Sequence, residues 1–184
     1  MKKAPYSQPA TEKQKKKFNH YLNDDEEMII FTTVSPAYLL HKFMLHFLLA
    51  SLITIPIFFF VYIFFRHQLI GVLGIAILLS LVYAAVRYYL TKEGIQYILT
   101  NKRLIVQVGY FQVTLYSANY NKIAHIEVVQ NFLERLFYKH GKIIVQTAGT
   151  DKKPITLDYI EYPLVFKNIM ERLIHQERRL YRVD

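Results

Sequence analysis

The stretch ILTNKRLIVQVG, residues 98–109, places two apolar runs on either side of the polar residues 100–103. The apolar runs are rich in β-branched and aliphatic residues, which favour extended strands. Between them lies Asn101, a residue type that supports tight turns. The stretch therefore predicts a β-hairpin, with Arg103 placed to pair across its strands. The alternative hypothesis is that Lys102 and Arg103 bind an anionic ligand such as a lipid headgroup.

Further short apolar runs surround this hairpin and are separated by polar or glycine-containing turns. The β-prone runs lie at residues 28–34, 94–99, 104–108, 111–115, 123–129, 142–147 and 154–157. Closely spaced short strands with short connections favour an antiparallel barrel or sandwich. The chain then ends in a helical pattern, with apolar residues at Phe166, Ile169, Met170, Leu173 and Ile174. This amphipathic face is expected to close one end of the barrel.

The region before the hairpin has a different, almost uniformly apolar character. Residues 43–65 and 69–86 contain no Asp, Glu, Lys or Arg. Because about 20 apolar residues span a hydrocarbon core of about 30 Å, two transmembrane helices with a very short connection are predicted. A single long soluble helix is the alternative, but such a helix needs a polar stripe to face water. A cleaved signal peptide is not expected, because the first run begins beyond residue 40.

The charge distribution predicts how these helices are oriented. Lys42 precedes the first span and Arg87 and Lys92 follow the second, whereas the connection contains only Arg66. The positive-inside rule therefore places both termini in the cytoplasm. The formal net charge of +9 also favours acidic partners such as anionic lipid or acidic protein.

These patterns divide the chain into three parts. Residues 1–27 are predicted to form a basic, disordered cytoplasmic arm, because they are polar and rich in lysine. Residues 28–92 are predicted to form a short strand followed by the transmembrane hairpin, in which Gly71 and Gly74 allow close helix packing. The short strand is also a candidate to dock on the soluble domain. Residues 93–184 are predicted to form that cytoplasmic domain with its C-terminal helix.

The sequence contains no recognisable catalytic set. It lacks a Gly-x-Ser-x-Gly elbow, a phosphate-binding P-loop, a His-Glu-x-x-His motif and any cysteine. His125 and Glu127 lie two residues apart on a predicted strand, but two ligands without a third are a weak metal signal. The sequence therefore predicts a protein that is not an enzyme and has no cofactor or metal.

Basic residues in the predicted turns are the candidate binding residues. If the turns converge at one end of the barrel, they form a surface for anionic lipid headgroups or an acidic partner. The alternative is a set of solvated loop charges. A nucleic-acid partner is not expected, because no recognition helix or RNA-binding signature is present. The candidate residues are Lys102, Arg103, Lys139, Lys142, Lys152 and Lys153.

Two apolar helices, then YILTNKRLIVQVGYF at residues 97–111, KIAHIEVVQNFLERLFYKHGKIIVQTAG at residues 122–149 and a C-terminal helix, resemble the bacterial pleckstrin-homology-like (PH-like) membrane proteins of the YdbS type. The resemblance covers residues 27–173. It implies an α+β membrane protein: a two-helix transmembrane hairpin followed by a seven-stranded, partly open antiparallel β-barrel capped by a C-terminal α-helix. In that fold residues 100–103 would join the first two strands, where related folds often bind phosphoinositides. The family pattern usually has a glycine near Tyr138, and this chain does not.

The resemblance implies membrane anchoring without established catalytic activity. The expected protein is a multi-pass protein of the bacterial inner membrane, whose PH-like domain acts as a scaffold that recognises a protein partner or anionic lipid headgroups. The alternative is a structural subunit of a homo-oligomeric or hetero-oligomeric membrane complex.

Overall fold

The computed structural model describes residues 6, 11–23, 25–65, 69–132, 134–148 and 153–180. The chain forms two compact units. The first, which we call the β unit, contains Met1–Ser35 and Gly94–Asp184, and the second, the helical unit, contains Pro36–Glu93. The regular elements in chain order are α1 (Glu12–Phe18), β1 (Met28–Thr33), α2 (Pro36–Phe65), α3 (Leu69–Gly94), β2 (Ile95–Thr100), β3 (Arg103–Val108), β4 (Thr114–Asn119), β5 (Ile123–Val129), β6 (His140–Thr147), β7 (Ile155–Glu161) and α4 (Pro163–Leu180).

The helical unit is an antiparallel pair of helices. The ring of Phe43 lies 6.4 Å from that of Tyr88, while further along α2 the Thr54 hydroxyl lies 2.8 Å from the Ser80 hydroxyl. The Ser80 hydroxyl also donates to the carbonyl of Ala76 at 2.9 Å. These pairs run in opposite directions along the two helices, so the helices lie side by side through most of their length.

The close contact between these helices does not use the predicted glycines. A Cβ atom added at Gly71 or Gly74 would meet no atom within 4 Å, so the prediction of close packing there is wrong. The buried residues of α3 are instead Val72, Ala76, Ser80 and Ala84. Their spacing of four residues places them on one helical face, and the Thr54–Ser80 contact turns that face towards α2.

Four strands of the β unit form the first sheet, in the order β1-β2-β3-β4. Strand β1 precedes the helical unit in sequence but pairs with β2, which follows it, as Thr33 opposite Gln96 shows. The predicted hairpin at residues 98–109 is confirmed, with Leu99 opposite Leu104. Its turn joins the second and third strands, so the expectation that residues 100–103 join the first two is wrong. The reason is that the first strand comes from before the helices.

The remaining strands form a separate sheet in the order β5-β6-β7. The predicted seven-stranded, partly open antiparallel barrel is confirmed only in part. The described strands number seven, but they form two sheets rather than a closed barrel, and the isolated bridge between Val34 and Ile160 joins these sheets. A short 3₁₀ turn at Tyr120–Lys122 carries the chain from β4 to β5. Since β4 and β5 belong to different sheets, each is left as a sheet edge.

The main core lies between the sheets and α4. Phe166, Met170, Leu173 and Ile174 are buried, and α4 packs against β5 and β6. The predicted amphipathic face of the C-terminal helix is therefore confirmed. Strand β3 is buried on both faces from Leu104 to Gln107, which explains why Leu104, Ile105 and Val106 are apolar in succession rather than alternating with polar residues.

The outer face of the first sheet is covered by the N-terminal segment. Within the arm that is predicted to be disordered at residues 1–27, Glu12–Phe18 form helix α1 and Phe18 at its end is buried. Residues 1–5, 7–10 and 24 of that arm lie outside the described residues. Phe18 stacks on Phe31 with ring centroids 5.1 Å apart. This second apolar cluster contains Phe18, Met28, Ile98 and Ile105, with Tyr21, Leu22 and Phe31 packed around them.

Candidate functional site

The turn between β2 and β3 is held by the side chain of Thr100. Its hydroxyl oxygen accepts the backbone N–H groups of Lys102 at 3.2 Å and Arg103 at 3.0 Å. The carbonyl of Thr100 accepts the buried hydroxyl of Tyr120 at 2.8 Å, and this burial raises the pKa of Tyr120. The polar residues of the motif thus close the turn themselves.

An acidic segment of the same chain binds this turn. The side chain of Asn101 accepts the backbone N–H of Glu27 at 3.1 Å, and the backbone N–H of Asn101 donates to the carbonyl of Glu27 at 3.1 Å. The Glu26 carboxylate is buried and accepts two hydrogen bonds from Arg103, from Nε at 2.8 Å and Nη2 at 2.8 Å. The Thr100 hydroxyl donates to the same carboxylate at 2.7 Å.

These hydrogen bonds determine the charge state of Glu26. Burial by itself raises the pKa of the carboxyl group, but the hydrogen bonds from Arg103 and Thr100 outweigh burial. The backbone N–H of Asn23 and the charge of Arg103 act in the same direction, so the pKa of Glu26 lies below its ordinary value. Glu26 is therefore ionised near neutral pH and neutralises Arg103.

These contacts agree with the interpretation of residues 100–103 as a turn. They weaken the hypothesis of headgroup binding, because Arg103 is already hydrogen-bonded within the chain. Arg103 also donates from Nη2 to the carbonyl of Tyr21 at 3.1 Å, so its guanidinium is engaged within the chain. Lys102 lies on the exposed side of the turn, with its ammonium 3.8 Å from the Asp25 carboxylate. Exposed ion pairs of this kind contribute little and leave Lys102 accessible.

The other candidate cations lie elsewhere in the β unit. Lys142 on β6 forms an ion pair with Asp158 at 3.4 Å. Lys139 is exposed and has a φ of 52°, a left-handed conformation that favours glycine. Lys153 is exposed before β7, and Lys152 lies outside the described residues.

These cations do not converge on one end of the β unit. Thr33 and Gln96 are paired, so Ser35 and Gly94, where the chain leaves and re-enters the β unit, lie at one end, which we call the junction end. The β2–β3 turn lies at the opposite end, called the far end, one six-residue strand away. That strand is about 20 Å long.

Backbone hydrogen bonds assign the cations to these ends. Lys139 belongs to the junction end, because its carbonyl accepts the N–H of Tyr162 at 2.8 Å and the nearby Tyr159 carbonyl accepts the N–H of Ser35 at 2.8 Å. Lys102 belongs to the far end, and Lys153 follows the opposite end of β6 from Lys139. Strand β6 has eight residues, so its ends are about 26 Å apart.

A groove at the junction end was not predicted from the sequence. It has a volume of about 220 Å³ and borders the π-helical segment Glu134–Tyr138. The segment is positioned by Gln130, whose side-chain amide donates to the carbonyl of His140 at 2.9 Å. The signal that could have found it is the pattern of residues 131–137, which mixes apolar side chains with Arg135. The lining residues are Gln130, Arg135, Lys139, Tyr162, Pro163, Leu164 and Val165.

Exposed apolar residues were also missed by sequence reasoning. Phe111 in the β3–β4 loop is 88% exposed and Phe132 is 76% exposed. Leu115 and Tyr116 on the edge strand β4 are exposed as well. The available signal was the absence of charge from residues 104–121. In the described part of the chain, no group of three or more His, Asp or Glu side chains is placed to hold a metal ion.

Comparison with known proteins identifies the family. A family model described as "Bacterial PH domain" matches residues 38–178. No curated protein matches the chain. Among solved structures, a DUF1696-family protein with a pleckstrin-homology domain from Shewanella loihica PV-4 is 11% identical, with a TM-score of 0.48, and the match covers 91% of this chain and 99% of that one.

Two further structures are similar at the same low level of identity. A pleckstrin-homology domain from Shewanella amazonensis SB2B is 13% identical, with a TM-score of 0.46 and coverage of 90% of this chain and 98% of that one. The Vps36 N-terminal PH domain is 15% identical, with a TM-score of 0.37 and coverage of 49% of this chain and 67% of that one.

The family match extends over well over half of the sequence and includes β2–β7 and most of α4. Two antiparallel sheets of four and three strands with a C-terminal helix form a PH-like fold. Domains of this kind are generally binding modules without catalytic activity. The chain therefore belongs to the bacterial PH-domain family.

Proposed function

We propose that the chain is a two-pass protein of the bacterial inner membrane whose PH-like domain docks a protein partner on the cytoplasmic side. The partner adds an extended segment to the open edge of β4. The observation that carries the proposal is that β4 lacks three features that commonly protect a sheet edge, namely a register shift, a charged side chain and a proline.

Length and exposure of the helices support the membrane part. The two helices long and apolar enough to cross a membrane, Pro36–Phe64 and Ile70–Gly94, have 29 and 25 residues. At about 1.5 Å per residue, both exceed a hydrocarbon core of about 30 Å. Side chains such as Leu52, Phe64 and Ile70 are exposed on them. In water such an apolar surface is unfavourable, whereas lipid tails cover it without cost.

The edges of the two sheets differ in how they are protected. Strand β5 has an irregular register between Ile123 and His125 and carries Glu127. Strands β1 and β7 also have register shifts, and the bridge from Val34 to Ile160 joins them. Strand β4 pairs with β3 without a register shift and has no charge and no proline. Because natural edge strands normally carry such features to prevent association, the β4 edge is suited to being covered.

The alternation of hydrogen bonds along β4 identifies which of its backbone N–H and C=O groups are available to a partner strand. Tyr120 donates its backbone N–H to the carbonyl of Lys102 at 3.2 Å, so this pair is a hydrogen-bonded one. Antiparallel pairs alternate between hydrogen-bonded and non-hydrogen-bonded. The backbone groups of Leu115, Ser117 and Asn119 therefore point away from β3. A partner strand would bond to them and place apolar side chains near Leu115.

The predicted basic turn is not the binding site that we propose, and a lipid headgroup is disfavoured as its ligand. Arg103 is neutralised by Glu26, so its guanidinium is already occupied within the chain. The second candidate function is a structural subunit in which β4 of a second copy is the added strand. The absence of charge from β4 favours it, because self-pairing then brings no like charges together.

Substitution at Ser117 tests the proposal with the full chain, gently extracted from its native membrane. Ser117→Pro removes an outward backbone N–H but leaves the β3–β4 ladder intact. Ser117→Ala is the matched control because it keeps that N–H. A partner that co-purifies with the wild-type chain and S117A should be lost from S117P, and equal recovery with all three would contradict strand addition.

A single introduced cysteine can distinguish the two candidate functions, because the natural chain has none. Ser117→Cys introduces a single thiol on the β4 edge. Disulfide-linked dimers in the native membrane would favour the structural subunit. A crosslink from this thiol to a different protein would favour the partner-docking function. That crosslink should disappear when Tyr116→Pro disrupts β4.

A further inference from the structure

We propose that the junction end of the β unit makes a second contact with the bilayer, in which Phe111, Phe132 and Leu136 enter the interfacial layer while Arg135 and Lys139 meet anionic headgroups. This inference rests on the proposed membrane-spanning hairpin. It assigns a role to two apolar segments that the partner-docking edge does not use.

The first segment is the β3–β4 loop, which is held rigidly. The backbone N–H of Gly109 donates to the carbonyl of Gly94 at 2.7 Å. Gly109 has a φ of 101°, and an added Cβ would lie 1.9 Å from the carbonyl oxygen of Gln112, so the tight loop requires glycine. Tyr110 and Phe111 pack edge to face with ring centroids 5.2 Å apart. The loop thus presents the exposed Phe111 ring from a fixed base.

The base of this loop lies at the end of α3. Gly94 is the last residue of α3 and the first of the β unit. It follows Val86, the last residue of the charge-free run, by eight helical positions, which correspond to about 12 Å. The headgroup layer is about 5–8 Å thick on each side of the core. If α3 crosses the membrane, Gly94 is therefore about 4–7 Å beyond that layer, and the hydrogen bond from Gly109 ties the base of the loop to Gly94.

The second segment contains residues 131–139 and combines apolar and basic side chains. Phe132 and Leu136 are strongly exposed, and Arg135 and Lys139 are exposed between and beyond them. Its one acidic side chain, Glu134, accepts the backbone N–H of Asn131 at 3.0 Å. Apolar side chains flanked by cations are the composition that binds membrane interfaces, because the apolar groups leave water while the cations meet anionic lipid.

Both segments lie at the junction end, and this location selects the bilayer as the occupant. The carbonyl of Lys139 accepts a hydrogen bond from Tyr162, three residues beyond the Tyr159 carbonyl that binds the N–H of Ser35. The far end instead exposes the polar residues Asn101, Lys102 and Asp25. The exposed apolar surface of the β unit is therefore concentrated where the chain joins its two apolar helices.

Single-cysteine labelling of the full chain tests the contact, since the natural chain has no cysteine. The chain is reconstituted into vesicles of phosphatidylcholine with phosphatidylglycerol, and an environment-sensitive fluorophore is attached at Phe111→Cys, Phe132→Cys, Lys153→Cys or Phe60→Cys. These side chains are exposed, so labelling should not disturb folding. Probes at 111 and 132 should shift to shorter wavelengths and be quenched by lipid-attached nitroxide, and the far-end probe at 153 should be quenched by aqueous iodide.

The probe at residue 60 lies within α2 and separates the two proposals. Lipid quenching at 60 with iodide quenching at 111 and 132 would overturn the second contact and leave the membrane hairpin intact. Iodide quenching at 60 would overturn the hairpin itself. If the probes at 111 and 132 are shielded in native membranes but not in pure lipid vesicles, a protein covers them and the bilayer contact is wrong.

A second set of variants tests the role of the two cations, Arg135 and Lys139. Arg135→Ser and Lys139→Ser should each lower the ratio of lipid-contacting to water-exposed probe at residue 132 about fivefold in anionic vesicles. Neither substitution should change that ratio in pure phosphatidylcholine. Lys102→Ser at the far end is the matched control and should have no effect in either lipid. An equal effect of all three substitutions would contradict a specific contact at the junction end.

Discussion

Replacing Arg103 with serine should destabilise the β unit, whereas the same change at the neighbouring Lys102 should not. The Arg103 side chain is 22% exposed and its partner Glu26 is 1% exposed. Removing one partner of a buried ion pair costs about 3–5 kcal/mol, because the other charge stays buried. Water reaches Arg103 in part, and Thr100 and Asn23 still donate to the carboxylate, so we expect the lower end, about 3 kcal/mol.

The Lys102 substitution supplies the internal control for this value. Lys102 is 46% exposed and its ammonium lies 3.8 Å from Asp25, so Lys102→Ser should cost less than about 0.5 kcal/mol. The measurement is urea unfolding of the full chain in mild detergent, with the folded fraction determined by pulse proteolysis. Adding Glu26→Gln to Arg103→Ser should cost about 2 kcal/mol less than the sum of the two single effects. Equal destabilisation by the two serine variants, or additivity of E26Q and R103S, would refute a structural role for the pair.

Three further predictions follow from individual contacts. Because the folded-state pKa of Glu26 is lowered, its contribution to stability is complete above the unfolded value of about 4.3 and is lost as the pH falls through the folded value; unfolding titrations of E26Q should show a weaker loss in that acidic range. Gly109→Ala should cost about 3 kcal/mol because of its left-handed φ and the clash with a carbonyl, whereas Gly71→Ala, with open space around it, should be neutral in the same urea assay. Ser80→Ala should lower the stability of the helical unit by about 1 kcal/mol in SDS titration, while Thr54→Ser, which keeps the hydroxyl, should not.

Most of the local structure could be predicted from the sequence. The hairpin at residues 98–109 follows from two β-prone runs around a turn-forming Asn101, and α4 follows from its 3.6-residue apolar period. Both signals act between residues close in the chain, so no other part of the molecule is needed to interpret them. The helix at Glu12–Phe18 was not predicted, for the opposite reason. Its lysines dominate the composition, and the single buried Phe18 that orders it has a partner only once the first sheet has formed.

The candidate site shows the same division more sharply. Lys102 and Arg103 are adjacent and equally basic, so the sequence offers no reason to separate them. The fold brings Glu26 to Arg103 across 77 positions, which makes one cation structural and leaves the other exposed. Whether the described candidate cations converge also depends on strand order, because Lys139 and Lys153 lie near opposite ends of β6.

The sequence by itself determined the two apolar helices, the closely spaced strands, the tight turn and the amphipathic last helix, because length, period and turn chemistry act over a few residues. Only the tertiary structure decided that β1 pairs with β2, although the two helices separate these strands in sequence. It also decided that the two sheets stay open and that β4 is an unprotected edge. It also decided that exposed apolar loops gather where the chain joins its helices. Those outcomes depend on contacts between residues distant in sequence, and no local pattern records which distant surfaces meet.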